Sequence, residues 1–123
     1  MNDGPDKPED YVQDMLDEIA RIERFAKDVK NAGEFKRDEK TLYACFRCLE
    51  VIGEAAKHVP TDFRNRHKEI GWKDIAGMRD KLIHDYGGID YSVVWETIQT
   101  DIPTLKKQLE KIVKEFGSLR SDS

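Results

Sequence analysis

Apolar residues recur in steps of three and four along most of this chain of 123 residues, and that spacing is the strongest constraint on its fold. Such spacing gathers apolar side chains on one side of an α-helix, which other helices must then cover. No segment alternates apolar and polar residues between hairpin turns, as a half-buried strand would. The sequence therefore predicts an all-α protein, and its length suits one compact domain.

Two apolar stripes predict long helices in the first half of the chain. The first stripe consists of Val12, Met15, Ile19, Ile22, Ala26 and Val29. We expect this helix to begin near Pro8, a favoured first-turn residue, and to end at Gly33. The second stripe consists of Leu42, Cys45, Leu49, Ile52, Ala56 and Val59. Asp38 suits the N-cap of the second helix, and Pro60 stops it.

Two further main helices are expected in the second half of the chain. One runs from Trp72 to Tyr86, where a pair of glycines breaks the pattern. Asp90 or Ser92 caps the other, which carries the stripe Val94, Ile98, Ile102, Leu105, Leu109, Ile112 and Phe116. Pro103 should kink this last helix and free one carbonyl without ending it, because the apolar periodicity continues on both sides.

These elements predict an up-and-down four-helix bundle, because short connections make neighbouring helices antiparallel. A minor extra short helix is expected within residues 61–68, which are more polar. Gly117 marks the predicted end of the last helix, so a single helical domain spans residues 8–117. Residues 1–7 and 118–123 are expected to be flexible tails.

The net charge of −4 argues against nonspecific binding to nucleic acid, although residues 57–81 carry seven bases against four acids. A solvated charged face is the simpler interpretation of that run. No apolar run approaches the roughly 18 residues of a membrane span, and the N-terminus lacks the basic and apolar regions of a signal peptide. We therefore expect a cytoplasmic protein without membrane association. Cys45 and Cys48 form a C-x-x-C pair, but with no second pair and no strand–helix junction we expect ordinary reduced thiols.

An arginine, a histidine and a tyrosine lie close together at Arg79, His84 and Tyr86. Arginine is a permanent cation that binds phosphate, and histidine exchanges a proton near neutral pH. Together they suit cleavage of a phosphodiester without a metal. The bare pattern is weak evidence, because it occurs by chance in many proteins. On an ideal helix Arg79 and His84 lie about 140° apart, so a loosened last turn would help them to converge.

The sequence around this motif resembles the core of the HepT-like family of HEPN-domain proteins. The resemblance is carried by WKDIAGMRDKLIHDY at residues 72–86, which contains the R-x4-H-x-Y motif of HepT toxins. Further matches are residues 52–56, Asp90, residues 94–95 and residues 101–103, so the similarity spans roughly residues 10 to 115. One departure is Asp80, where family members often have asparagine.

The resemblance implies an all-α bundle that forms homodimers, with two Arg–His motifs lining a cleft at the dimer interface. It implies a toxin that cleaves RNA without a metal or other cofactor, with Arg79 and His84 as catalytic residues. It also implies an MntA-like nucleotidyltransferase antitoxin that attaches AMP to the tyrosine of the motif, here Tyr86. DNA is not expected as a substrate.

The residue types suit this chemistry, because RNA supplies its own nucleophile in the 2′-hydroxyl. His84 can take the proton of that hydroxyl or protonate the departing 5′-oxygen, while Arg79 stabilises charge on the phosphate. The expected product is a 2′,3′-cyclic phosphate. AMP on Tyr86 would add negative charge beside the site and repel RNA.

Four further residues are candidates for support of the site. Lys73 and Lys81 can steer phosphates by charge, although a solvated surface is the simpler interpretation for each. Glu54 either orders the cleft from the second helix or has a plain packing or capping role. Asp80, an acid beside the arginine, is expected to weaken phosphate attraction.

Two other functions stay open at this point. A noncatalytic helical module that binds a nucleotide or activates a nucleotidyltransferase would agree with Asp80 and the acidic balance. A purely structural dimerisation bundle would tolerate alanine at Arg79, His84 and Tyr86.

Overall fold

A computed structural model describes residues 7–84 and 87–121, and most of these residues are helical. The helices are α1 Pro8–Phe25, α2 Ala32–Arg37, α3 Glu39–His58, α4 Thr61–Arg66, α5 Trp72–Ala76, α6 Met78–Leu82, α7 Tyr91–Glu96, a π-helical segment Thr97–Asp101, and α8 Ile102–Ser121. The β-structure within the described ranges is one isolated antiparallel bridge between Ile83 and Ile89. The predicted all-α class is confirmed.

The long helices pack around one core. Helix α3 contacts α1, α5 and α6, while α8 also packs against α1. Every residue of the second predicted stripe is buried, as are the members of the first stripe that lie within α1. The two thiols belong to this core, where burial raises the pKa of Cys45 to about 11 and that of Cys48 to about 12. Both cysteines are free thiols.

The first helix is shorter than its apolar stripe predicted. Helix α1 ends at Phe25, and Gly33 lies inside the separate helix α2, so the expectation that Gly33 ends the first helix was wrong. The reason is local capping, because the Asn31 side chain accepts a hydrogen bond from the Glu34 N–H at 2.9 Å. The Glu34 carboxylate in turn accepts from the Lys30 N–H at 2.7 Å. These two bonds start a new helix where the stripe suggested continuity.

The predicted helix from Trp72 to Tyr86 is two short helices, and it ends at Leu82 rather than at Tyr86. Gly77 separates α5 from α6, and Ile83 already has extended backbone. A small hairpin replaces the last helical turn: the Asp90 N–H donates to the Leu82 carbonyl at 2.8 Å, and the His84 N–H donates to the Gly88 carbonyl at 2.6 Å. Gly87, with φ of +87°, supplies the left-handed backbone that the reversal needs.

The C-terminal third is one helical rod with a π-helical segment in it. Asp90, one of the two predicted caps, accepts a hydrogen bond from the Val93 N–H at 3.2 Å. The Ile102 N–H donates to the Thr97 carbonyl, five residues back, so the extra π turn stands directly before Pro103. Pro103 lacks the N–H that would bond to a carbonyl of the preceding turn, yet the helix continues through it to Ser121. The predicted continuity is therefore confirmed, while the kink stays a prediction.

The predicted end at Gly117 was wrong, because α8 continues to Ser121. A glycine ends a helix by adopting a left-handed conformation, and within the described residues only Gly87 has a positive φ. The expected minor helix at 61–68 is confirmed as α4. Of the predicted tails, residues 1–6 and 122–123 lie outside the described residues. No helix of the described chain has the combination of length and apolarity that crossing a membrane requires.

Candidate active site

The site begins with a close approach between α3 and the α5–α6 segment. A Cβ added to Gly53 on α3 would stand 3.0 Å from the Ile75 carbonyl oxygen on α5, so only glycine fits without a shift. Helix α6 follows α5 after a single residue, Gly77, and also contacts α3. The missing side chain at Gly53 therefore lets α6 lie against the middle of α3.

The packing of α6 against α3 brings Arg79 next to a carboxylate on α3. Its Nε lies 2.8 Å from Glu50 Oε2, while 62% of its side chain is exposed and only 16% of the Glu50 side chain is. The half-buried acid thus holds an exposed guanidinium by one edge. The other edge of the guanidinium, with its two terminal nitrogens, has the fork geometry that binds phosphate oxygens in pairs.

Glu50 holds a second arginine as well. Arg47 Nη1 lies 3.6 Å from Glu50 Oε1, and 66% of the Arg47 side chain is exposed. The carboxylate thus stands between two guanidinium groups, one from its own helix and one from α6. Sequence reasoning missed Glu50 because a lone acid on a charged helix gives no signal; its spacing of three residues from Gly53 was the only available hint.

His84 lies on the hairpin that follows α6, with 56% of its side chain exposed. Its Nδ1 is 3.7 Å from Asp90 Oδ2, which is too long for a hydrogen bond but within ion-pair distance. The other oxygen, Oδ1, caps α7 by accepting from the Val93 N–H and the Ser92 hydroxyl, so the carboxylate is fixed. No hydrogen bond to a residue in the described ranges engages Nε2 of His84.

The Asp90 carboxylate is ionised over a wider pH range than usual. Burial alone would raise its pKa, but the hydrogen bonds from Val93 and Ser92 and the positive charge of protonated His84 outweigh burial. The net effect holds the pKa of Asp90 below its ordinary value of 3.8. The negative partner of His84 is therefore present throughout the pH range in which a histidine changes charge.

We expect His84→Ala to raise the pKa of Asp90 toward 3.8, because it removes a cation from beside the carboxylate. Because the pKa of Asp90 is lower in the folded state than its ordinary value of 3.8, ionised Asp90 stabilises the fold at pH values above 3.8. That contribution is lost as pH falls through the lowered pKa. A carboxyl NMR titration measures the shift, with His58→Ala as the control because His58 lies at the C-terminal end of α3. An identical Asp90 midpoint in wild type and His84→Ala would refute the pairing.

The structure describes all of the predicted site residues except Tyr86. Arg79 and His84 lie on either side of the end of α6, and the chain leaves helical geometry at Ile83, so the angle of an ideal helix does not apply to them. The helical turn that was expected to loosen is absent, because α6 ends at Leu82 and the hairpin follows it. Asp80 and Glu54 are exposed, and Glu54 lies one turn beyond Glu50 on α3. Tyr86 lies outside the described residues.

The two lysines lie away from the Arg79–Glu50 contact. Lys81 is two positions beyond Arg79, about 200° around α6. Together with Met78 and Thr97, Lys81 lines a groove of about 490 Å³ between the α5–α6 segment and the π-helical segment with the start of α8. Lys73 lines a shallower surface cavity beside Trp72. The structure therefore brings neither lysine onto the surface that Arg79 and Glu50 share.

Fold and site together define a small helical-bundle protein that presents an arginine and a histidine beside fixed carboxylates. The chain belongs to the ribonuclease HepT-like family, whose sequence profile matches residues 15–112. This match confirms the resemblance noted from residues 72–86.

Named relatives agree with the family. A protein of Thermococcus cleftensis named probable ribonuclease HepT is 47% identical over 105 residues, covering 85% of this chain and 94% of that protein. A protein of Methanocaldococcus jannaschii named as a candidate RNase is 48% identical over 106 residues, covering 86% and 90%. Another such protein, from Caldanaerobacter subterraneus, is 42% identical over 108 residues, covering 88% and 96%. No solved structure gives a significant match.

Proposed function

We propose that this protein is a cytoplasmic ribonuclease toxin that cleaves RNA without a metal ion. Membership of the ribonuclease HepT-like family supports the ribonuclease activity. The observation that carries the mechanism is the pair of exposed side chains at the end of α6. Arg79 and His84 each face solvent, and each has a carboxylate from another element beside it. A substrate can therefore reach both groups.

The proposed reaction is an internal transesterification of RNA. The 2′-oxygen loses its proton to a base and attacks the adjacent phosphorus, while the bond from phosphorus to the 5′-oxygen breaks and that oxygen takes up a proton. Arg79 binds the phosphate oxygens and stabilises the charge that builds on them. His84 transfers one of the two protons through Nε2, and Asp90, at ion-pair distance from Nδ1, is the positioning residue that orients its ring by charge. The products are a 2′,3′-cyclic phosphate and a free 5′-hydroxyl.

A homodimer would supply the second proton-transfer group. Each chain provides one His84, whereas the reaction needs a base for the 2′-hydroxyl and an acid for the leaving oxygen. We propose that two copies place their motifs at one cleft, so that the two histidines divide these roles. Analytical ultracentrifugation of the purified protein tests the assembly, and a monomer that cleaves RNA at full rate would disprove this arrangement.

We further propose that the cognate antitoxin is an MntA-like nucleotidyltransferase that attaches AMP to Tyr86. Tyr86 follows His84 by two residues, so a phosphate on it would place negative charge close to the site. In the cleavage assay, the antitoxin with ATP should silence wild type but not Tyr86→Phe. Equal silencing of both proteins would mean that the antitoxin acts by binding alone.

The decisive test is cleavage of RNA by purified, antitoxin-free protein in EDTA. We expect wild type to cut and to leave 2′,3′-cyclic phosphate ends, and we expect Arg79→Ala to cut far more slowly. Arg66→Ala is the matched control, because Arg66 is 61% exposed and also ion-paired, at 3.5 Å to Asp62, but lies on α4. If wild type cuts several RNAs no faster than Arg79→Ala, the enzyme proposal is wrong. Tight binding of the antitoxin without any cleavage would then favour a noncatalytic partner module.

A further inference from the structure

We infer that Tyr43 and Arg47, on the exposed face of α3, form a subsite for the nucleotide next to the scissile phosphate. Arg47 would bind the phosphate of that nucleotide, and Tyr43 would stack on its base. The inference rests on the proposed ribonuclease function and extends the site from α6 onto α3.

The first support is the shared carboxylate. Glu50 Oε2 lies 2.8 Å from Arg79 Nε, and Glu50 Oε1 lies 3.6 Å from Arg47 Nη1. The two cations therefore flank a single anion, and the three groups together carry one positive charge. An RNA strand whose scissile phosphate is bound by Arg79 brings its neighbouring phosphates within reach of the second guanidinium.

The second support is the unused donor capacity of both arginines. A guanidinium has five N–H donors, and Glu50 engages only one edge of each group. The side chains are 66% exposed for Arg47 and 62% exposed for Arg79. Exposed ion pairs are held weakly, so a phosphate can add to Arg47 or replace Glu50 as its partner.

The third support is the aromatic side chain one turn before Arg47. Tyr43 is 53% exposed, the more exposed of the two large hydrophobic residues within the described ranges that face solvent. Residues four apart lie on the same face of a helix, so Tyr43, Arg47 and Glu50 form one stripe that leads to Arg79. Proteins that bind single-stranded RNA combine such aromatic platforms with cationic side chains.

The test uses 2′-O-methyl oligonucleotides, which lack the nucleophile, in a fluorescence-anisotropy binding assay. A dinucleotide contains only the scissile phosphate, whereas a tetranucleotide adds flanking phosphates and bases. We expect Arg47→Ala and Tyr43→Ala each to weaken tetranucleotide binding roughly tenfold and to leave dinucleotide binding nearly unchanged. Tyr43→Phe keeps the ring and should bind like wild type, as should Phe25→Ala, which removes an exposed aromatic side chain from α1.

Salt and kinetics separate a phosphate contact from a structural effect. Arg47→Ala should lower the slope of log Kd against log salt by about 0.7, the value for one phosphate contact on a single strand. On cleavable tetranucleotides it should raise KM and leave kcat nearly unchanged. An equal loss on dinucleotide and tetranucleotide would overturn the inference, because Arg47 would then act only through Glu50 on Arg79.

The remaining outcomes keep the inference distinct from the enzyme proposal. If wild type cleaves RNA but Tyr43→Ala and Arg47→Ala bind and cut like wild type, the subsite is wrong and the ribonuclease stands. If wild type cleaves no RNA yet both variants lose tetranucleotide binding, the nucleotide subsite stands and the enzyme proposal fails. If Tyr43→Ala weakens self-association in ultracentrifugation with RNA binding unchanged, the face is an interface between copies and the subsite is overturned.

Discussion

His84→Ala should lower kcat for RNA cleavage by about 10²–10⁴-fold, the range expected when a positioned proton-transfer group is removed. The loss should appear mainly in kcat, because Arg79 and the carboxylate that holds it are unchanged and substrate can still bind. The fold should survive, since the hydrogen bonds that His84 makes in the hairpin come from its backbone. Single-turnover cleavage with saturating protein measures the effect on the chemical step.

The matched control for this change is His58→Ala. His58 is also an exposed histidine, but it lies at the C-terminal end of α3 and stacks on Tyr11, with 5.7 Å between ring centroids. We expect this variant to cleave RNA at the wild-type rate. Cleavage by His84→Ala within about threefold of wild type, with His58→Ala as reference, would remove His84 from the chemistry. Thermal unfolding of both variants checks that any loss is not a loss of fold.

Periodicity predicted the parts of the fold that depend on many residues at once. The stripe from Leu42 to Val59 repeats over five turns, so a single misleading residue could not hide α3. The helix boundaries depended on individual contacts, either local or between distant residues, that the apolar periodicity does not predict. Asn31 starts α2 through one side-chain hydrogen bond, and α6 ends at Leu82 because Ile83 pairs with Ile89 across the hairpin.

The candidate site, like the fold, was predicted from the sequence only in part. The motif marked Arg79 and His84 as candidate catalytic side chains, and the structure exposes both. Their partners were harder to predict, because Glu50 reaches Arg79 only after α6 has packed against α3. Asp90 is one of the two caps that the sequence predicts, yet its position beside His84 depends on the hairpin that brings residues 84 and 90 together. Contacts that form only when helices pack together give no recognisable spacing pattern in the sequence.

Gly53→Leu should destabilise the protein by about 2 kcal/mol, because a side chain there collides with the backbone of α5. A Cβ alone would lie 3.0 Å from the Ile75 carbonyl oxygen, and a backbone carbonyl in a helix cannot rotate away. Overpacking of a buried position costs about 1–3 kcal/mol, and a branched side chain against backbone belongs at the upper end. Replacing glycine within a helix stabilises the helix by about 0.8 kcal/mol, which offsets part of that cost. Urea unfolding measures the net free energy.

Gly117→Leu makes the same chemical change without the collision. Gly117 lies within α8, and a Cβ there would meet no described atom within 4 Å. We expect this control to stabilise the fold by about 0.8 kcal/mol, so the difference between the two variants isolates the collision at α5. Gly53→Leu should also slow RNA cleavage in the fraction that stays folded. The new side chain would push α5 away from α3, and α6, which follows α5, would then move Arg79 away from Glu50. Unfolding free energies that match between the two variants would mean that α3 and α5 do not need this close approach.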